Sequence, residues 1–364
     1  MVVEADMKRA KKARVDTGKV LSLGGAFIGL CMGSGFASGQ EVIQFFTSFG
    51  LLGSLGAGTV ALLIFTWVAS TVMVDGKKLN SSVGIYKFYC GERIGSMFEF
   101  IIPLMMFAFL NVMFSGAGAA INEYFGLPTL VGIAIIAFSC VITVLLGLKR
   151  LIQIIGSIGI IIVLLAAVIC IISLFSNWQV IFENIETASR LKMPMATFDS
   201  WWISGLLYAS FNMVTALPFL SGLGSQARSK EEAFLAGTFG SSSYIFAGIL
   251  MNLAFIANIG LVYGKEIPFL ALANSVLPGI GYLFCLLLIA GIYTTAVPLL
   301  WSICDIIYAD KKNWTYPITV IAITALAFIG GHLPFGLLIG SVYPIIGLIG
   351  LILIVFIFFK KLSC

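Results

Sequence analysis

The sequence predicts an all-α integral membrane protein of ten transmembrane helices in a 5+5 inverted repeat, with helices 1 and 6 broken at the midplane and both termini cytoplasmic. Three observations carry this expectation. Hydrophobic residues make up 60% of the 364-residue chain and charged residues only 10%, against about 25% charged in soluble domains. Apolar runs of the roughly 20 residues needed to cross a bilayer recur along the whole length. Lysine and arginine segregate between alternate loops, as the positive-inside rule requires.

The predicted spans fall near 20–49, 51–74, 94–121, 128–148, 151–175, 199–222, 232–262, 279–307, 315–333 and 335–359. The N-terminal tail, 1–19, carries Lys8, Arg9, Lys11, Lys12, Arg14 and Lys19. It leads into an apolar segment too long for a signal-peptide core and reads as a retained cytoplasmic tail. Ten spans from a cytoplasmic N-terminus put those six residues inside, together with Lys77, Lys78, Lys87, Arg93, Lys149, Arg150, Arg228, Lys230, Lys311, Lys312, Lys360 and Lys361. Only Arg190, Lys192 and Lys265 fall outside, so 18 of the 21 basic residues share one side. Adding or losing one span would scramble that division. The net charge of +5 is then a property of cytoplasmic loops, and no nucleic-acid partner is expected. The expected surroundings are the lipid bilayer of the cell membrane, crossed many times, and a small-molecule solute.

Five spans (20–175), an extracellular connecting segment (176–198), five more spans (199–360) and a cytoplasmic C-terminal tail (361–364) complete the expected organisation. An odd-numbered unit forces a second copy to enter the membrane the other way up, which makes the repeat inverted. Two apolar stretches, Ile267 to Leu277 and Val83 to Tyr89, are too short to cross and read as interfacial or re-entrant pieces.

Span one contains Gly29-Leu-Cys-Met-Gly33-Ser34-Gly35-Phe-Ala-Ser-Gly39-Gln-Glu41. Four helix-interior glycines forgo about 4 kcal/mol of helix propensity. Two readings fit them: a seam of small residues for close helix packing, with Gly29/Gly33 and Gly35/Gly39 spaced four apart, or an unwound stretch. Unwound backbone in hydrocarbon is tolerated only where protein covers it or it lines a wet cavity. The matching span six carries Tyr208-Ala-Ser210-Phe211-Asn212-Met-Val-Thr215-Ala-Leu-Pro218, a polar patch before a proline. Paired interruptions in two halves point to a solute site, which favours the cavity and predicts a second break in span six.

At such a break the free amides and the positive dipole end of the second half-helix suit a carboxylate, which assigns Gly33, Ser34, Gly35 and Phe36 to carboxylate recognition. Span six offers Ser210 and Asn212 to a polar group such as an ammonium, with Tyr208 and Phe211 as aromatic walls or a gate. Asn111 of span three is expected to face the cavity. Glu41 is an intramembrane carboxylate, a candidate for gating or coupling or, equally, for a capping role. Glu99 and Asp305, nearer cytoplasmic ends, suit ion pairs at gates or loops.

Seven cysteines lie scattered without a C-x-x-C pair and His332 stands alone, so neither a disulfide framework nor a histidine metal site is indicated. No nucleophile-base set and no phosphate-binding loop occurs, so neither an enzyme nor an ATP-driven pump is expected. Energy for any transport would come from an ion gradient or from the solute's own.

Gly33-Ser34-Gly35-Phe36 resembles the broken first helix of the amino acid-polyamine-organocation superfamily. The longer string through Glu41 looks most like the YkvI-type bacterial membrane proteins. That resemblance implies a ten-helix LeuT-type fold. In sodium-coupled members of the fold, carbonyls matching Gly29 and Met32 bind the ion. The eighth helix adds a carbonyl and two hydroxyls, which here match Gly291, Thr294 and Thr295. The resemblance thus implies Na+ as the coupling ion and no organic cofactor. Set against it, threonines in membrane helices also bond back to the carbonyl one turn earlier, and proton-coupled relatives share the fold. The expected function is a secondary active transporter of a small amino acid or related zwitterion or amine, working by alternating access and coupled to sodium. The alternatives are a proton-coupled transporter of the same fold and a non-transporting, amino acid-sensing receptor subunit.

Overall fold

A computed structural model describes residues 15–80, 84–177, 179, 181–191, 199–265, 267–276, 281–308, 315–333 and 335–363. Lys8 to Arg14, Lys192, Lys311 and Lys312, which enter the charge count above, lie outside the described residues.

Every described element is helical. Span one is divided into α1 (Thr17–Cys31), α2 (Ser34–Ser38), α3 (Gln40–Phe45) and a 3-10 turn at Thr47–Phe49. There follow α4 (Gly50–Leu79), α5 (Ile85–Phe125), α6 (Thr129–Leu145), α7 (Leu148–Ser176) and the short α8 (Ile181–Arg190). The second half comprises α9 (Trp201–Ser225), α10 (Lys230–Ala257), the small α11 (Ile259–Val262) and α12 (Pro268–Val276), then α13 (Gly281–Ile307), α14 (Thr315–Gly330) and α15 (Phe335–Leu362). Among the described residues, seven stretches are long and apolar enough to cross a membrane, and α1, α6 and α14 are shorter apolar helices. The stretch 267–277 contains α12, a helix too short to span. The stretch 83–89 overlaps the first turns of α5, which Gly91 (φ 74°, ψ 171°) kinks away from the long remainder.

Packing is organised around α1 and α9. The first lies between α7 and α10, the second between α15 and α4, and α5 packs against α13. Lipid supplies no hydrophobic force between helices, so small residues that let backbones approach are what hold them together. Gly25 of α1 faces the Gly156 carbonyl of α7, and Gly159 of α7 faces the Gly25 carbonyl in return. On the other side Gly205, Gly76 and Gly224 bring α9 onto α4, with Gly224 set directly on the Met73 backbone. Large apolar side chains such as Phe138, Leu164, Ile329 and Phe359 stay exposed on the outer faces, where lipid would meet them.

Span six differs from expectation. The helix α9 runs without interruption from Trp201 to Ser225, with Pro218 inside it. The reason lies in the polar patch itself. Ser210 Oγ bonds the Leu206 carbonyl at 2.7 Å, Asn212 Nδ2 the Tyr208 carbonyl at 2.9 Å and Thr215 Oγ1 the Asn212 carbonyl at 3.1 Å. These three side chains each bond to a carbonyl of their own helix, so the residues that suggested an opening are satisfied without one.

Gly224→Val would drive two methyl groups into the Met73 backbone. The expected result is a loss of about 1–3 kcal/mol, read as a lower thermal midpoint of the detergent-solubilised protein. An unchanged midpoint would show that the α4–α9 seam is not close-packed.

Candidate functional site

Where α1 ends, Met32 leaves the helical region (φ −78°, ψ 45°) and Gly33 is extended, so α2 starts afresh at Ser34. A second interruption follows at Gly39, whose φ of 87° is left-handed and suits glycine. The four glycines therefore divide their roles. Gly29 lies on the α7 seam, within 3.1 Å of the Ile155 carbonyl for any added Cβ, while Gly33 and Gly39 make the two breaks. Gly35 clears room for a side chain: an added Cβ there would collide with Glu41 Oε1.

The turn at Gly39 folds Glu41 back over α2. Glu41 is 4% exposed, and its carboxylate faces the Phe36 backbone and Tyr208. Tyr343 of α15 donates its hydroxyl to Glu41 Oε1 at 3.2 Å, while Oε2 is buried without a hydrogen-bond partner. Around the carboxylate stand fully buried rings. The hydroxyls of Tyr208 and Tyr244 are 2.6 Å apart, Phe36 packs on Tyr244 at a centroid distance of 4.7 Å, and Phe211 packs on Tyr343 at 5.2 Å. No ion-pair partner of Glu41 occurs among the described residues.

On the opposite side of the break lies α13. Thr295 Oγ1 donates to the Leu30 carbonyl at 2.7 Å and reaches the Gly29 carbonyl at 3.3 Å. Thr294 Oγ1 bonds back to the Gly291 carbonyl at 3.0 Å, as threonines in membrane helices commonly do. Gly291 itself abuts the Met32 carbonyl, which would lie 2.5 Å from a Cβ placed there. Gly29, Met32, Gly291, Thr294 and Thr295 thus converge, and Leu30 joins them. The atoms gathered are carbonyl and hydroxyl oxygens, the donor type that a hard cation takes.

The remaining expected residues separate. Ser34 Oγ lies 3.9 Å from Met113 Sδ, so Met113 and not Asn111 is the α5 residue against the break. Asn111 instead faces Gly330 of α14, with Nδ2 on the Phe107 carbonyl and Oδ1 buried and unpaired. Ser210 and Asn212 are tied into α9, as described above. Tyr244, Tyr343 and Met113 escaped the sequence reading. The available signal was tyrosine well inside spans seven and ten, where a buried hydroxyl needs a partner.

Ion pairs tie helix ends together. Asp75, fully buried, is held by Lys361 at 2.7 Å, by Lys78 at 3.1 Å and by the Tyr89 hydroxyl at 2.8 Å. Asp16, the N-cap of α1, pairs with Arg228 at 2.9 Å, and Glu232 accepts the backbone amides of both Asp16 and Arg228. Lys87 and Glu99 pair at 3.0 Å, an ion pair of the kind expected for Glu99.

This is the fold of solved membrane transporters. The chain superposes on a Na+-coupled sialic acid symporter with a TM-score of 0.67 (14% identity, covering 94% of this chain and 78% of that one). It also matches an Eremococcus coleocola manganese transporter (TM-score 0.60, 12% identity, 95% and 86% covered). A nucleobase-cation-symport-1 family transporter, in a closed conformation with bromovinylhydantoin bound, matches at 0.56 (13% identity, 85% and 70% covered). The fold neighbours are transporters and not enzymes. In sequence the chain is similar over nearly its whole length to two Bacillus subtilis proteins: the uncharacterized membrane protein YkvI (23% identity over 354 residues, 94% and 96% covered) and the uncharacterized protein YyaD (27% over 344 residues, 90% and 93% covered). No protein-family model matches.

Gly33→Leu and Gly35→Leu test the break directly. Each is expected to abolish ligand binding, by at least tenfold in Kd, in protein that remains monodisperse. Retained binding in folded protein would remove those residues from the site.

Proposed function

We propose that the chain is a secondary active transporter that moves a small amine-bearing solute, an amino acid or related zwitterion or amine, across the cell membrane by alternating access. The observation that carries this reading is the interrupted first helix, with a buried carboxylate and tyrosines on one side and the α13 threonines on the other. The two five-helix halves are inverted copies, and both termini are cytoplasmic. The packing supports this: α1 lies against α7 and α10 as α9 lies against α15 and α4, the neighbours that an exchange of halves would interconvert. The charge division supports the orientation.

In alternating access the halves rock about a fixed site, and a ligand shifts the balance only by binding the two states unequally. The ion pairs at Asp75 and at Asp16–Arg228 close the cytoplasmic side in the conformation described, and must part for inward opening.

Sodium is the driving ion in this reading and travels as a second substrate. The carbonyls of Gly29, Met32 and Gly291 and the hydroxyls of Thr294 and Thr295 would hold it, once Thr295 gives up its bonds to α1 and Thr294 its bond to Gly291. Their convergence and all-oxygen chemistry fit a hard cation. The substrate amides are those of Gly33 to Phe36, beside Tyr208 and Phe211. A second reading, proton coupling, is favoured by one observation: Glu41 has no cationic partner among the described residues, and a carboxyl in such a place suits proton carriage.

Proteoliposome uptake separates these readings. Sodium coupling predicts that removing sodium lowers initial uptake at least tenfold, and that Thr294→Val/Thr295→Val raises the sodium concentration for half-maximal uptake by a similar factor. Uptake that ignores sodium and follows a proton gradient would replace sodium with the proton.

A further inference from the structure

A carboxylate buried without countercharge is strongly disfavoured, so a protein retains one where something comes to neutralise it. Three occupants can do so: a proton, a metal ion or an organic cation. A metal ion needs a shell of oxygens, and the hydroxyls at hand are engaged, Tyr208 with Tyr244 and Tyr343 with Glu41 itself. A proton would neutralise the charge but has no use for the rings. An ammonium group uses both features. It can donate to the free Oε2, and the buried aromatic rings Phe36, Tyr208 and Phe211 that pack together nearby have π-systems of the kind that attract cations.

Glu41 also occupies ground that a solute carboxylate would need. Its Oε1 fills the space over Gly35, and its carboxylate faces the Phe36 backbone. A second carboxylate brought to the same amides would meet a like charge in a low-dielectric site.

We propose that Glu41 and the rings around it bind the ammonium group of a carboxylate-free amine, and that Glu41 takes the place that a substrate carboxylate holds in an amino acid site. This rests on the transporter reading above and narrows its solute from amino acids, zwitterions and amines to amines alone. The first half of span one, α1, and the α13 threonines play no part in it.

The test uses the purified full chain, with ethylamine, propylamine and putrescine as carboxylate-free probes and alanine and glycine betaine as carboxylate-bearing ones. The amines are expected to raise the thermal midpoint saturably, the carboxylate-bearing probes to leave it unchanged, and Glu41→Gln to weaken amine binding at least tenfold. A second measurement needs no variant: a hydrophobic carbodiimide labels buried carboxyls, and mass spectrometry reads the yield at Glu41. Ethylamine should suppress that labelling and alanine should not. Alanine or glycine betaine binding equally to wild type and Glu41→Gln would overturn the amine assignment while leaving the transporter reading in place. Labelling of Glu41 unaffected by a bound amine would overturn it too, leaving Glu41 to the proton. The transporter reading itself fails separately, if a probe that binds is not carried into proteoliposomes.

Discussion

The carbonyls of Gly29 and Leu30 reach the end of α1 with no helical amide left to satisfy them, in the buried interior of the molecule. A helix terminus leaves several such groups unpaired, and in an apolar interior each unpaired group costs free energy on the scale of a lost hydrogen bond. Thr295 of α13 answers that need with one hydroxyl between two carbonyls. This contact fixes α13 beside the break and holds α1 where α7 and α10 can close around it. The glycine seams then follow, because a helix that supplies backbone to a partner must be approached closely by its neighbours.

The second interruption has a different consequence. By turning the chain at Gly39, the fold brings Glu41 back against the helix that precedes it. One charged group thereby meets Tyr343 of α15 beside the Tyr208–Tyr244 pair of α9 and α10, all far from span one in sequence. Tyr343 gives the carboxylate a hydroxyl but not a countercharge, and Oε2 is buried without a hydrogen-bond partner, so the centre is polar and electrostatically incomplete.

Much of this was legible in the sequence. Hydropathy marks the apolar helices, and the glycine string marks a broken first helix, because both depend on local composition in a solvent that punishes exposed backbone. The Gly291-x-x-Thr294-Thr295 spacing likewise places its groups against Gly29 and Met32. The misreading of span six has a clear cause: serine, asparagine and threonine can either leave a helix or bond back into it, and sequence alone does not choose. Asn111 illustrates a related limit, since helical periodicity does not say which neighbour a face will meet. Tyr244 and Tyr343 were out of reach for a third reason. Their partners come from another helix through tertiary packing, and no local pattern ties Glu41 to a residue 302 positions away.

The central claim is that the interrupted first helix is where solute is held. Hydrogen–deuterium exchange of the full chain in lipid nanodiscs, with and without a saturating transported solute, tests it most directly. Amides from Gly29 to Glu41 are predicted to gain protection when solute binds, while those in the middle of α4 stay unchanged. Unaltered exchange across Gly29 to Glu41 at saturating solute would contradict the account.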